Sequence, residues 1–286
     1  MKKIVLCGDL KPNEEVAGFP EIDLQYSISK DQVWKNLLHQ IEETPSLNRN
    51  VFLRNPIYRF ALAASLLLCL SVTGLMRYYT TTVYNPAGQH LTFYLPDSSL
   101  IELNAQSQVS YHPYWFRFSR TVSLAGEAYF KVVSGNSFKV ISKLGETIVL
   151  GTSFNIYSRN NNYRVTCFTG KVRVVSAEKQ ERLLLNPDEQ AFINKDGFLR
   201  FVQEVNNQAV KAWRDNMFVF TGSSVTDVLE EIERQYDIKI VFNADSGLTY
   251  TGNFSKTLTG KEVLDLVCTP LGLKFVAKSD ADFLIE

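Results

Sequence analysis

Phe60–Met76 reads FALAASLLLCLSVTGLM, seventeen residues without a charge. As an α-helix rising about 1.5 Å per residue, such a run covers about 26 Å. Ile57 and Tyr58 before it, and Tyr78 and Tyr79 after it, extend it toward the roughly 30 Å of a bilayer's hydrocarbon core. Those tyrosines suit the headgroup level, and the stems of Arg59 and Arg77 can lie along apolar surface while their charged heads reach water. A buried helix in a soluble core rarely runs so far without a strongly polar side chain. A cleaved signal peptide carries its apolar region within about the first 15–30 residues, whereas 59 residues precede Phe60. Residues 57–79 are therefore read as one transmembrane helix.

The flanking charges orient it. Arg49, Arg54 and Arg59 stand on the amino-terminal side, and after Arg77 no Lys or Arg occurs until Arg117. Positive residues stay inside, which places the amino terminus in the cytoplasm and the longer carboxy-terminal part outside.

Outward from the helix on that side, residues 83–205 read as short strands. Val122–Val133, Thr147–Tyr157, Tyr163–Val175 and Glu189–Ile193 mix alternation with β-branched and aromatic residues. Turn signals recur at NPAG (85–88), LPDSS (95–99), SGNS (134–137), RNNN (159–162), NPDE (186–189) and NKDG (194–197). Gly126, Gly151 and Gly170 mark bulges or close backbone approaches. Many short strands with few helical runs predict an antiparallel β sandwich or roll.

Over 213–286 the period changes and an internal repeat emerges. SVTDVLEEIERQYDIKIVF (Ser224–Phe242) aligns without gaps, at an offset of 35, with TGKEVLDLVCTPLGLKFVA (Thr259–Ala277). Each copy is a capped amphipathic helix, a turn and a strand, and each follows a further strand, at 217–222 and 248–255. Two strand-helix-strand units make a C-terminal α+β domain. The whole chain reads as membrane-anchored and mainly β.

On the amino-terminal side, segment 1–56 begins with 27 residues rich in charge, with Gly8, Pro12, Gly18 and Pro20, where little regular structure is expected. Val33, Trp34, Leu37, Leu38 and Ile41 then recur at three- and four-residue spacing, an amphipathic helix that Ser29 can cap and Pro45 follows. A lone helix of this length is marginal in water. Its stripe must lie against the rest of the tail, the membrane surface or a partner protein.

Thirty basic residues balance thirty acidic ones, so charge points to no polyanionic partner and no direct nucleic-acid binding. His39, His90 and His112 have no ligand cluster at metal spacing, and no phosphate loop, dinucleotide fingerprint or nucleophile elbow occurs. Neither a metal nor a cofactor nor a catalytic residue is expected. Asp97, Glu102 and Glu127 fall at strand or turn positions and read as solvated or turn residues. Cys167 and Cys268 are the two cysteines that share the outer compartment; each sits in an apolar stretch, as a buried thiol does, and a bridge between them stays open.

Arg120–Val132 (RTVSLAGEAYFKV), Thr147–Ile156 (TIVLGTSFNI), Val165–Val174 (VTCFTGKVRV) and Leu185–Ala191 (LNPDEQA) come in that order, with Pro96–Tyr111 before them and Trp213–Phe220 after. This ordered set resembles the FecR-type anti-sigma factor family, in the form common in Bacteroidetes that carries a C-terminal two-unit domain. The resemblance implies a single-pass relay in the inner membrane. Its periplasmic part would sense the signalling domain of a TonB-dependent outer-membrane receptor, and its cytoplasmic segment would control an extracytoplasmic-function sigma factor. Trp34, Leu37, Leu38 and Ile41 become candidates for the sigma factor. An exposed sheet edge near Met217–Thr221 or Phe283–Glu286, with Met217, Val219, Thr221, Phe283 and Ile285, becomes the candidate for the receptor domain by strand addition. Glu127 and Asn155 would hydrogen-bond backbone, and Thr80–Val83 is an open polar stretch where a protease could cut. Asp188 stands after Pro187 where the family usually has Gly, and Asp tolerates left-handed geometry. A second reading is a membrane-anchored envelope enzyme or glycan-binding module, in which Tyr114, Trp115, Phe116 and Phe118 stack on a sugar rather than pack in a core.

Overall fold

The computed structural model describes residues 28–42, 56–194, 196–242 and 247–285. Residues 1–27 and Pro45, on which the expectations for the tail partly rest, lie outside them. The chain divides into two units, 1–66 and 67–286, the division falling inside a long helix.

In the first unit, α1 (Lys30–Glu42) forms where the apolar stripe predicts it. Ser29 closes its first turn, with the Gln32 amide 2.9 Å from its carbonyl and 3.4 Å from its hydroxyl. α2 (Pro56–Tyr78) opens on a proline, whose missing N–H costs nothing at a first helical position. At 23 residues it extends about 34 Å, long and apolar enough to cross a bilayer once, and none of its side chains is buried by protein. Its hydroxyls bond back to the preceding turn, as Ser71 to the Leu67 carbonyl (2.6 Å) and Thr73 to that of Cys69 (2.7 Å). These hydroxyls need no water.

Beyond α2 the chain folds as a β sandwich whose two sheets share one strand. Its elements are β1 (Thr81–Asn85), β2 (Leu91–Tyr94), β3 (Leu100–Leu103), β4 (Ser107–Tyr111), β5 (Arg120–Lys131), β6 (Phe138–Ile141) and β7 (Gly145–Val149). β8 (Ser153–Arg159), β9 (Asn162–Thr169), β10 (Val172–Ser176), β11 (Arg182–Leu185), β12 (Gln190–Ile193) and β13 (Leu199–Val202) complete it. One sheet runs β1-β4-β5-β6-β7-β10-β11 and uses the first half of β5; the other runs β13-β12-β9-β8-β5-β3-β2 and uses the second half. The changeover falls at Gly126, whose φ of +107° no L side chain adopts easily. Phe130, Phe138, Phe154, Ile101, Val140 and Val165 fill the single core between the sheets. One pairing departs from the antiparallel expectation: β6 lies parallel to β5, because 132–137 carries the chain back to set Phe138 beside Arg120. Gly151 answers the close approach expected of it, since a Cβ there would meet Ser134 Cα at 2.6 Å. Asp188 takes the left-handed turn at φ +68°.

α3 (Asn207–Lys211) and a 3-10 turn (Ala212–Asp215) lead into the C-terminal α+β domain. There β14 (Met217–Ser224), α4 (Val225–Tyr236) and β15 (Lys239–Phe242) precede β16 (Thr249–Ser255), α5 (Gly260–Cys268) and β17 (Phe275–Ala277), the two units of the repeat. The repeat extends to the caps. Ser224 and Thr259 accept from the amides of Asp227 and Glu262; Asp237 caps α4, and Gly272 the 3-10 turn (Thr269–Leu271) that follows α5, in left-handed geometry at φ +52° and +71°. β18 (Asp282–Ile285) lies outside the repeat and enters between β15, to which it is parallel, and β17. This corrects the expectation of an edge at Phe283–Glu286. Phe283 and Ile285 alternate onto one face and are buried in the second core, so the outer places fall to β15 and β17. Tyr129, Phe168 and Trp213 pack into that core beside Val228, Ile232, Val263 and Leu264, joining the sandwich to the C-terminal domain.

Candidate functional site: an interaction cleft between sandwich and C-terminal domain

β14 pairs only with β16, so among the described residues no strand covers its other edge. All eight of its residues line a cleft of about 550 Å3. Across from them stand Arg164 and Thr166 of β9, Gln190 of β12, and Asn155 and Tyr157 of β8. These polar side chains hold one another in place: Gln190 Nε2 donates to Thr166 Oγ1 (2.7 Å), and the Arg164 guanidinium lies 4.4 Å from the Tyr157 ring centre. Asn155 Oδ1 and Trp213 Nε1, on two residues that line the cleft, are buried with no hydrogen-bond partner among the described residues. An incoming polar group would relieve that cost.

The floor is a buried polar network that ties the two domains together. Glu127 accepts from Asn104 Nδ2 (2.9 Å) and Asn155 Nδ2 (2.8 Å). Asn104 Oδ1 in turn accepts from Gln235 Nε2 of α4 (2.6 Å), which also donates to Glu231 Oε1 (2.7 Å). Arg234 pairs with Glu231 at 2.9 Å, and Arg214 with Glu102 at 2.5 Å. Three expectations are corrected here. Glu127 and Asn155 bond side chains rather than backbone, because β5 and β8 run side by side and turn both away from the sandwich core, onto the face that Tyr129 shares with the C-terminal domain. Glu102 is not a solvated carboxylate but half of a cross-domain ion pair, whose guanidinium carbon sits 3.8 Å from the Tyr129 ring centre. Asp97 does serve its turn, accepting from the Ser99 amide (3.0 Å), and also receives Arg120 Nε at 2.7 Å.

Environment drives the two floor carboxylates apart. Burial, with the Glu231 charge nearby, pushes Glu127 above the usual carboxylate range. Burial pushes Glu231 upward too, but the Arg234 and Arg159 guanidinium groups outweigh it and hold that carboxyl low and ionised. His90, which bonds Gln235 Oε1 (3.1 Å) and stands edge-on to Trp213, is lowered by burial and by Lys256. The unfolded chain takes up a proton near pH 6.5, which folded His90 resists, so stability is lost as pH falls below that value. His90→Gln is expected to shrink the drop in melting temperature of the detergent-solubilised chain between about pH 7.5 and 5.5. An unchanged drop would take His90 out of the linkage; comparing the two profiles separates it from Glu127, whose raised pKa acts with the opposite sign.

Of the residues the sequence singles out, Met217, Val219 and Thr221 line the cleft, whereas Phe283 and Ile285 lie in the core. Trp34, Leu37, Leu38 and Ile41 are 43–65% exposed along α1. Gln235, Glu231, Trp213 and Arg164 are not among the singled-out residues. The first two read as the polar face of an amphipathic helix, and nothing in their spacing marks that face as covered. Thr80–Val83 is not open, since Thr81, Thr82 and Val83 pair with Tyr111, Ser110 and Val109. Cys167 and Cys268 are separate free thiols in different cores, each pushed up to about 11 chiefly by burial. Among the described residues no three His, Cys, Asp or Glu side chains gather to hold a metal ion.

A family model described as FecR protein matches residues 79–173, and one described as FecR, C-terminal matches residues 217–283. Two crystal structures of a "putative anti-sigma factor" from Parabacteroides distasonis, at 2.50 and 1.65 Å resolution, are similar at 26% and 25% identity. Each gives a TM-score of 0.66 and covers 72% of this chain and 98% of its own. No curated protein matches the chain.

Proposed function

The chain belongs to the FecR family of anti-sigma factors, and from that membership we propose that it relays a signal across the inner membrane. In this reading α2 is the single span, α1 lies in the cytoplasm, and the sandwich and C-terminal domain lie in the periplasm. The stripe of Trp34, Leu37, Leu38 and Ile41 binds an extracytoplasmic-function sigma factor. The edge of β14, with Met217, Val219 and Thr221, receives an extended strand from the periplasmic signalling domain of a TonB-dependent receptor.

The observation that carries this reading is that uncovered edge: a strand of eight residues with no second partner strand among the described residues, facing a cleft whose far wall is polar. Strand addition would satisfy the edge, and the polar wall would read the side chains that alternate toward it. On the other side of the span, a 13-residue helix with its apolar stripe exposed is a poor free-standing element, and a groove on a partner would bury it.

The test uses the full chain in detergent, presented with the sigma factors and the isolated receptor signalling domains of the same cell. Trp34→Ala with Leu38→Ala, both at exposed positions, is expected to weaken sigma-factor capture at least about tenfold, as loss of anchor side chains does. It should leave receptor-domain capture unchanged. Val219→Arg, which obstructs the cleft, is expected to do the reverse. Sigma-factor capture that survives the first variant removes α1 from the role, and receptor-domain capture that survives the second moves that site off β14.

A further inference from the structure

Loop 112–119, HPYWFRFS, carries an aromatic cluster that neither core nor cleft absorbs. Phe116 alone enters the sandwich core, with its ring centre 5.8 Å from that of Tyr111 and 6.2 Å from that of Phe138. Tyr114 and Phe118 are 57% and 74% exposed, and Trp115 lies half-buried with its ring centre 4.9 Å from that of Phe118.

Strand pairing fixes where this loop lies. α2 ends at Tyr78 and β1 begins at Thr81, so only Tyr79 and Thr80 connect them. Thr81 pairs with Tyr111, the last residue of β4, and the loop leaves the sheet at the level where the helix arrives. His112 Nδ1 donates to the Tyr79 carbonyl (3.0 Å), the rings of Tyr79 and Tyr114 stand 5.4 Å apart, and the Arg77 guanidinium lies 5.5 Å from the Trp115 ring centre. Two extended residues reach about 7 Å. The headgroup zone is about 5–8 Å deep on each side of the hydrocarbon core. The connection is thus too short to lift the loop clear of the membrane surface.

We infer that loop 112–119 is a lipid-surface anchor: Tyr114, Trp115 and Phe118 enter the headgroup zone of the leaflet that α2 leaves, and so hold the sandwich against the bilayer. This rests on α2 crossing the membrane. Lipid is the occupant because the patch continues the helix end directly and shares its chemistry. Tyr78 and Tyr79 extend the aromatic surface, and Arg77 and the exposed Arg117 can meet lipid phosphates. Amphipathic rings with cationic neighbours favour such an interface.

The test uses the full chain in phosphatidylcholine–phosphatidylglycerol vesicles, with Cys7 and Cys69 replaced by Ser, while burial keeps Cys167 and Cys268 unlabelled. A nitroxide at Phe118→Cys is read for collisions with oxygen, which partitions into lipid, and with a water-soluble nickel chelate. Labels at Leu67→Cys and Val276→Cys give the bilayer interior and water. The oxygen-to-nickel ratio at 118 is expected to lie severalfold above that at 276 and below that at 67. Adding Tyr114→Ser and Trp115→Ser should lower it toward the value at 276 and leave position 67 unmoved. A ratio at 118 equal to that at 276, with 67 in the bilayer, overturns the anchor. A watery signal at 67 overturns the span instead, and the anchor with it. Nickel collisions at 118 that fall only when soluble peptidoglycan fragments are added assign the loop to glycan binding and likewise overturn the lipid anchor.

Discussion

Gly126→Ala is expected to lower the melting temperature of the detergent-solubilised chain by roughly 10 °C, at about 2–4 °C per kcal/mol for a folded part of this size. Two effects add. A side chain at φ +107° is strained by about 1–3 kcal/mol. The new methyl would also sit 2.7 Å from Ser107 Cα and 2.5 Å from its hydroxyl, an overpacking that costs about another 1–3 kcal/mol. Ser107 has little freedom to retreat, because it is buried at the start of β4 and its hydroxyl accepts from the Glu127 amide and from Arg159 Nη2, both at 3.0 Å. Gly222→Ala is the control. Its φ of +58° is strained as well, but no heavy atom lies within 4 Å of its Cβ position, so only about 1–2 kcal/mol should be lost. Equal losses in scanning calorimetry would show that the changeover between sheets tolerates a side chain, against the geometry described.

Asn104→Ala is expected to cost about 2–4 kcal/mol and to loosen the C-terminal domain from the sandwich. The substitution removes the donor to Glu127 Oε2 and the acceptor shared by Gln235 Nε2 and the Ala105 amide, all at buried positions. Gln235 keeps its bond to Glu231, and Glu127 keeps only the Asn155 amide among its side-chain donors. Amide hydrogen exchange in α4 should therefore speed up while exchange in β10 and β11 does not. In a double-mutant cycle with Gln235→Ala the coupling should reach about 1 kcal/mol, as for side chains in direct contact. Additive losses would mean that this contact does not join the domains.

How far these features can be read from the chain depends on how local their causes are. Seventeen uncharged residues need no neighbour to favour lipid over water, and α2 follows. The repeat at offset 35 gives two helices because each copy brings its own stripe and caps, down to the left-handed positions Asp237 and Gly272. The Trp34–Ile41 stripe likewise makes α1 legible. By contrast, Thr226 and Gln235 flank the apolar stripe of α4 on its two sides, and helical period ranks neither as covered. Thr226 is exposed, whereas Gln235 is buried because the turn between β3 and β4 presents Asn104 to it. Phe116 and Phe118 stand two residues apart in one loop, and the positions of Tyr111 and Phe138 decide that the first is core and the second exposed.

Periodicity, apolar length and ordered motifs act over short stretches of chain, so the elements, the long apolar helix and the family likeness are legible without any tertiary contact. Tertiary structure alone decided which edges stay open and which polar groups go under. Both Met217–Thr221 and Phe283–Ile285 read as strands, yet β18 is enclosed because Asp282 pairs with Lys239 and Ala277 with Phe283. Among the described strands β16 alone reaches β14, which therefore keeps a free edge over the cleft. An edge is a property of what does not pair, and pairing is settled by contacts between residues far apart in the chain.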